Sequence, residues 1–135
     1  MKIYLICPVR NATQEQREME ENYTKMLEAV GHTVYLPHRD APQDDPTGEA
    51  ICQKHRQAME DSDVVYVIWD KNSFGSHWDM GMAYAMRKPV QLLHTIHKDT
   101  PGKSYYKVLC SLSEECYLSN VENFVRTLKK MRGEK

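Results

Sequence analysis

Asp63-Val64-Val65-Tyr66-Val67-Ile68-Trp69-Asp70 is the stretch that decides the fold. From Val64 to Trp69 it carries no charged residue and is rich in β-branched and aromatic side chains, so neither face is reserved for water. It therefore reads as the central strand of a parallel sheet covered on both sides. At strand length it is far too short to cross a bilayer. Upstream of it, Glu49 to Asp61 reads as a helix with Ile51, Ala58 and Met59 inward. Downstream come a turn through Asn72 to Ser76, a helix from about Trp78 to Arg87, and Lys88-Pro89 as its stop. Val90 to His94 then forms a further strand.

The same alternation extends in both directions. Lys2 to Cys7 is a short apolar strand. Thr13 with Gln16 three residues on has capping-box spacing, and it opens a helix whose apolar positions Met19, Tyr23, Met26, Leu27 and Val30 recur at helical period. Gly31 is placed to close that helix with a positive φ. His32 to Pro37 is the next strand, and the polar, proline-containing Arg39 to Gly48 a loop. Towards the C-terminus the expectation is a loop over Lys98 to Lys103, a short helix through Tyr106 and Leu109, a fifth strand at Glu115 to Leu118, and an amphipathic helix from Val121 to Met131. Residues 1–135 thus predict one α/β domain: a three-layer sandwich with a five-stranded, mostly parallel sheet, flavodoxin- or Rossmann-like, in order 2-1-3-4-5. Ligands of such sheets sit beyond the carboxyl ends of the strands, at the point where strand order reverses.

Composition narrows the chemistry. Apolar residues make up 41% and charged residues 27%, and the formal net charge is −1. A balance this even argues against a nucleic-acid polymer or an anionic membrane as partner. The apolar N-terminal stretch is too short for a secretory h-region and runs into Arg10, so a cytoplasmic protein is expected. Cys7, Cys52, Cys110 and Cys116 contain no Cys-x-x-Cys pair and read as reduced thiols. His94 and His97 are the closest histidine pair, but neighbouring acids and thiols do not complete a ligand set. No metal and no cofactor are implied.

The segment Ser73-Phe74-Gly75-Ser76-His77-Trp78-Asp79-Met80-Gly81-Met82-Ala83, followed by Lys88-Pro89-Val90, carries the most chemical information. A turn of small residues leading into a helix exposes backbone N–H groups that hold anions, and an acid in the first helical turn is favoured by the dipole. Read by itself, Asp79 is as readily a helix-start acid with no further role.

Trp78-Asp79-Met80-Gly81-Met82-Ala83, Lys88-Pro89-Val90, the opening Met1 to Leu5 with Pro8, and Gly31 to Pro37 together resemble the nucleoside 2-deoxyribosyltransferase-like superfamily, which includes nucleotide N-hydrolases. The similarity spans most of residues 1 to 94. It implies a carboxylate nucleophile that attacks the anomeric carbon of a nucleoside or nucleotide. Asp79 stands where the family has glutamate, one methylene shorter. His55 stands where many members carry an aspartate that orients the nucleophile or handles a proton; a partly buried histidine on the inward helix face is the plain alternative.

Pro8, Arg10 and Asn11 follow the first strand, where the superfamily's nucleotide hydrolases place a phosphate-contacting arginine. Arg10 with Ser73, Gly75 and Ser76 is thus the candidate phosphate grip, and Trp78 a candidate for stacking on a base, though core packing is the commoner use of such a residue. By the same resemblance a homodimer is expected, with Ser104 or Tyr105 contributing to a neighbouring subunit's site. The reading is an N-glycosidic bond hydrolase or deoxyribosyltransferase acting on a nucleoside 5′-monophosphate. The alternatives are a non-catalytic nucleotide-binding module on the same fold and a purely structural protein.

Overall fold

A computed structural model describes residues 1–41, 43–97 and 102–134. Its elements run β1 (Lys2–Ile6), α1 (Gln14–Ala29), β2 (Thr33–Tyr35), α2 (Pro37–Asp40), α3 (Glu49–Glu60), β3 (Val64–Asp70), α4 (Phe74–Ala85), β4 (Val90–His97) and α5 (Tyr105–Met131). The sheet is four-stranded in order β2-β1-β3-β4, and every pairing is parallel. Strand order reverses between β1 and β3, so the loops after Ile6 and Asp70 meet at one edge.

Alternation along the strands builds two cores. Tyr4 and Ile6 of β1 with Val65, Val67 and Trp69 of β3 face Met59 of α3, Met80 and Ala83 of α4, and Leu109 of α5. Ile3, Leu5 and Cys7 with Val64 and Ile68 face Met19, Tyr23 and Leu27 of α1. The central strand is thus buried on both faces, which is why it lacks a polar stripe. The capping box at Thr13 forms, with Gln16 N donating to Thr13 Oγ1 and Thr13 N to Gln16 Oε1. Gly31 at φ 97° closes α1: its N–H reaches Glu28 O and that of His32 reaches Leu27 O, the double bond of a Schellman turn.

Several expectations are corrected. Among the described residues there is no fifth strand, and the sheet is wholly rather than mostly parallel. Glu115 to Leu118 lies inside α5, which joins the two expected C-terminal helices into a single helix of 27 residues. Leu109, Leu112 and Cys116 recur at helical spacing toward the body, and the open edge of β4 is met by a side chain instead of a strand: Leu92 N donates to Ser113 Oγ at 2.9 Å. Lastly, the helix after β3 begins at Phe74, four residues earlier than expected, because Ser73 caps it by accepting from Ser76 N. Asp79 accordingly sits in the second turn, where the helix-start dipole no longer supports it. A short α2 also interrupts the expected Arg39 to Gly48 loop at its start. Of the expected loop at Lys98 to Lys103, residues 98–101 lie outside the described residues.

Candidate active site

Asp79 projects from α4 onto the sheet and is 7% exposed. A buried carboxylate needs donors, and Tyr4 supplies one: its hydroxyl donates to Asp79 Oδ2 at 2.9 Å. His55, on α3, brings Nδ1 to 3.8 Å from Oδ1, longer than an ordinary hydrogen bond. Tyr35 completes the surroundings, stacked on Tyr4 at 5.2 Å and edge-on to His55 at 5.8 Å. Among the described residues, its hydroxyl and His55 Nε2 are buried without hydrogen-bond partners. β1, β2, α3 and α4 each contribute one of these four residues, so the constellation forms only when both crossovers are in place.

The electrostatics follow from burial. Desolvation, helped by the facing Asp79 carboxylate, pushes the Tyr4 hydroxyl far above its ordinary range, so it is a donor at any physiological pH. Tyr35 is pushed up to about 12 by burial and by the charges of Asp40 and Asp79. The arrangement is therefore a carboxylate with one oxygen held by a permanent donor and the other beside an imidazole.

The sequence-derived candidates divide into two groups. Asp79 and His55 are brought together. Pro8 is buried at the end of β1, while Arg10 and Asn11 are exposed in the following loop, Asn11 at φ 61°. Ser73 and Ser76 bind each other, Oγ to Oγ at 2.8 Å, and Ser76 is buried. Gly75 is exposed beside them, and Trp78 points outward at 64% exposure. Ser104 caps α5 by accepting from Lys107 N, and the exposed Tyr105 lies edge-on to His77 of the same chain, 5.7 Å away. Lys88 is structural: its ammonium donates to Glu60 O and Ser62 O and ties the end of α3 to the start of β4.

Neither Tyr4 nor Tyr35 is among the site residues expected from the sequence. For Tyr4 the available signal was its place on a buried strand, where a tyrosine hydroxyl usually takes a hydrogen-bond partner. A second polar cluster lies on the α1 side. Glu20 is fully buried, with the Cys7 thiol against it and His38 Nδ1 3.5 Å from Oε2. Among the described residues no group of three His, Cys, Asp or Glu side chains is arranged to hold a metal ion. No helix there is long and apolar enough to cross a membrane.

The model of the nucleoside 2-deoxyribosyltransferase family matches residues 3–131. The chain belongs to that family. The family comprises nucleoside deoxyribosyltransferases and nucleotide N-glycosidases. Among solved structures, a 2-deoxyribosyltransferase from Bacillus psychrosaccharolyticus aligns with a TM-score of 0.62 at 20% identity, over 83% of this chain and 96% of that one. A Clostridium botulinum CMP N-glycosidase aligns at 0.55 and 20% identity, over 90% and 99%. A conserved protein from Enterococcus faecalis aligns at 0.60 and 21% identity, over 80% and 72%. At such identities these likenesses concern the fold. No curated protein matches the sequence significantly.

Proposed function

We propose that this family member breaks the N-glycosidic bond of a nucleoside 5′-monophosphate, with Asp79 as nucleophile. The observation that carries the reading is the Asp79 carboxylate itself: buried, held through Oδ2 by Tyr4, and with Oδ1 left beside His55. Oδ1 attacks the anomeric carbon as the bond to the base nitrogen breaks, and the base departs with that electron pair. Tyr4 stays bonded to Oδ2, which becomes the carbonyl oxygen of the glycosyl ester. His55, when protonated, gives the leaving base its proton. Water then attacks the same carbon, loses a proton to His55, and releases Asp79 and the sugar phosphate; a second base in place of water makes the reaction a transfer.

For the phosphate, support comes from topology. Parallel strands bring the Pro8-to-Asn11 loop and the Ser73-to-Ser76 turn to one sheet edge. Arg10 supplies the charge, Asn11 and the N–H groups at the start of α4 the hydrogen bonds, and Ser76 acts by holding Ser73. The outward Trp78 is left for contact with the base.

One observation favours a second reading, a nucleotide-binding module without turnover. Asp79 is covered, one methylene shorter than glutamate, and already bonded to Tyr4. Incubation with a panel of nucleoside monophosphates, with released base followed by chromatography, separates the two. Base release by the wild type, abolished in Asp79→Ala and Asp79→Asn with binding retained, is the expected result. Binding without base release establishes the module, and turnover that survives Asp79→Ala overturns the nucleophile.

A further inference from the structure

Asp79, Tyr4 and His55 each have a part in the proposed reaction; Tyr35 has none. Tyr4 and Tyr35 are register partners on neighbouring parallel strands, and their rings stack 5.2 Å apart with 20° between the planes. Both side chains leave the sheet on the face that α3 and α4 cover. Neighbouring strands lie about 4.8 Å apart, so two hydroxyls carried in this way end about one strand spacing from each other. The Tyr4 hydroxyl donates to Asp79 Oδ2. Among the described residues, the Tyr35 hydroxyl is buried with no partner.

A buried hydroxyl left unbonded is costly, and folded chains leave few of them. Burial and the carboxylates of Asp40 and Asp79 push the Tyr35 hydroxyl up to about 12, so it holds its proton and lacks an acceptor. His55 does not supply one: its ring lies edge-on at 5.8 Å, and its Nε2 is buried without a partner too. Two such atoms beside one carboxylate mark a place for a ligand's own polar atoms. Asp79 is itself only 7% exposed, so a substrate that reaches its carboxylate reaches the hydroxyl beside it. The neighbours say which part of the substrate that is. Asp79 Oδ1 meets the anomeric carbon and His55 faces the departing base, and Tyr35 packs against His55. Its hydroxyl therefore lies towards the base. Purines and pyrimidines differ along most of their edges, yet both carry an acceptor beside the glycosidic nitrogen: N3 in a purine, O2 in a pyrimidine. The electron pair that the base takes from the broken bond is delocalised onto that atom. A donor aimed there holds the departing base more strongly than the intact nucleotide, and that difference lowers the barrier.

We propose that Tyr35 is a catalytic residue acting on the leaving group, its hydroxyl donating a hydrogen bond to N3 of a purine or O2 of a pyrimidine as the base departs. The assignment rests on the reading of Asp79 as nucleophile. Tyr35 keeps its proton throughout, and the proton that the base acquires comes from His55.

The test pairs a substrate with an analogue whose acceptor is removed or weakened. These are a purine nucleoside monophosphate and its 3-deaza counterpart, or a pyrimidine and its 2-thio counterpart, whichever base the wild type releases. Single-turnover base release is measured on both, for the wild type and for Tyr35→Phe, which keeps the ring and its stacking. Tyr35→Phe should slow the parent on the order of 10- to 100-fold, the range of one bond to a charged group, and slow the analogue far less. A packing role would slow both alike. Because the hydroxyl bonds nothing within the fold, the melting temperature of Tyr35→Phe should not fall. The assignment is overturned by equal slowing of the two substrates, by no slowing of either, or by an effect that follows the sugar's 2′-hydroxyl instead. A variant that melts lower or does not fold also overturns it, since the hydroxyl then has a partner inside the protein. Absence of base release from every monophosphate removes the proposed function and this assignment together; an active wild type with equal slowing removes this assignment alone.

Discussion

Tyr4 and Asp79, 75 residues apart in sequence, share a buried hydrogen bond of 2.9 Å between hydroxyl and carboxylate. The bond fixes which oxygen of Asp79 is free, and it ties the central region of the sheet to α4. Tyr4→Phe keeps the ring and its stacking on Tyr35 but removes the donor. A hydrogen bond to a charged group is worth roughly 1.5–3 kcal/mol, so base release should fall about 10- to 100-fold while nucleotide binding changes little. Single-turnover assays beside calorimetry make the comparison; an unchanged rate would reduce Tyr4 to a packing residue.

Glu20 offers a pH-dependent prediction away from the proposed chemistry. Burial raises its pKa from 4.5 to about 7, opposed only in part by Cys7 and Arg17. The folded state therefore keeps a proton that the unfolded chain has lost, and stability falls as pH rises from about 4.5 to about 7. The cost approaches its full value above that window, on the order of 3 kcal/mol. His38, 3.5 Å away, offsets it only while protonated. Denaturant unfolding at pH 5 and pH 8 should show the wild type weaker at the higher pH, and Glu20→Gln should flatten the difference. The account fails if the wild-type difference persists in Glu20→Gln.

Arg10 tests the phosphate assignment. A nucleoside monophosphate should bind about 10- to 100-fold more tightly than its nucleoside, the range expected of one charge-assisted contact. Arg10→Ala should erase most of that preference without altering the melting temperature, because the side chain is exposed. Calorimetry on the two ligands gives the answer. Equal wild-type affinities would remove the phosphate from the proposed substrate.

Much of the architecture was legible because it rests on local and periodic signals. The β-branched run at Val64 to Ile68, the Thr13 capping box and Gly31 each specify their structure through neighbours a few residues away, and the strand order follows from alternation with long crossovers. The expected fifth strand failed through competition between distant groups. Glu115 to Leu118 has strand-forming residues at its end, yet the edge of β4 was satisfied by Ser113, and the helix ran on.

That His55 lies near Asp79 was implied by the family resemblance, which sets at that position a residue that orients the nucleophile or handles a proton. That Tyr4 holds the carboxylate, that Ser76 is turned inward to Ser73, and that Asp79 lies one turn deeper than a helix-start acid were decided only when β1, α3 and α4 closed on one another. Sequence periodicity determines which face of an element is buried. Which polar atom meets which inside that face depends on the distance between elements, and only the packed structure sets that.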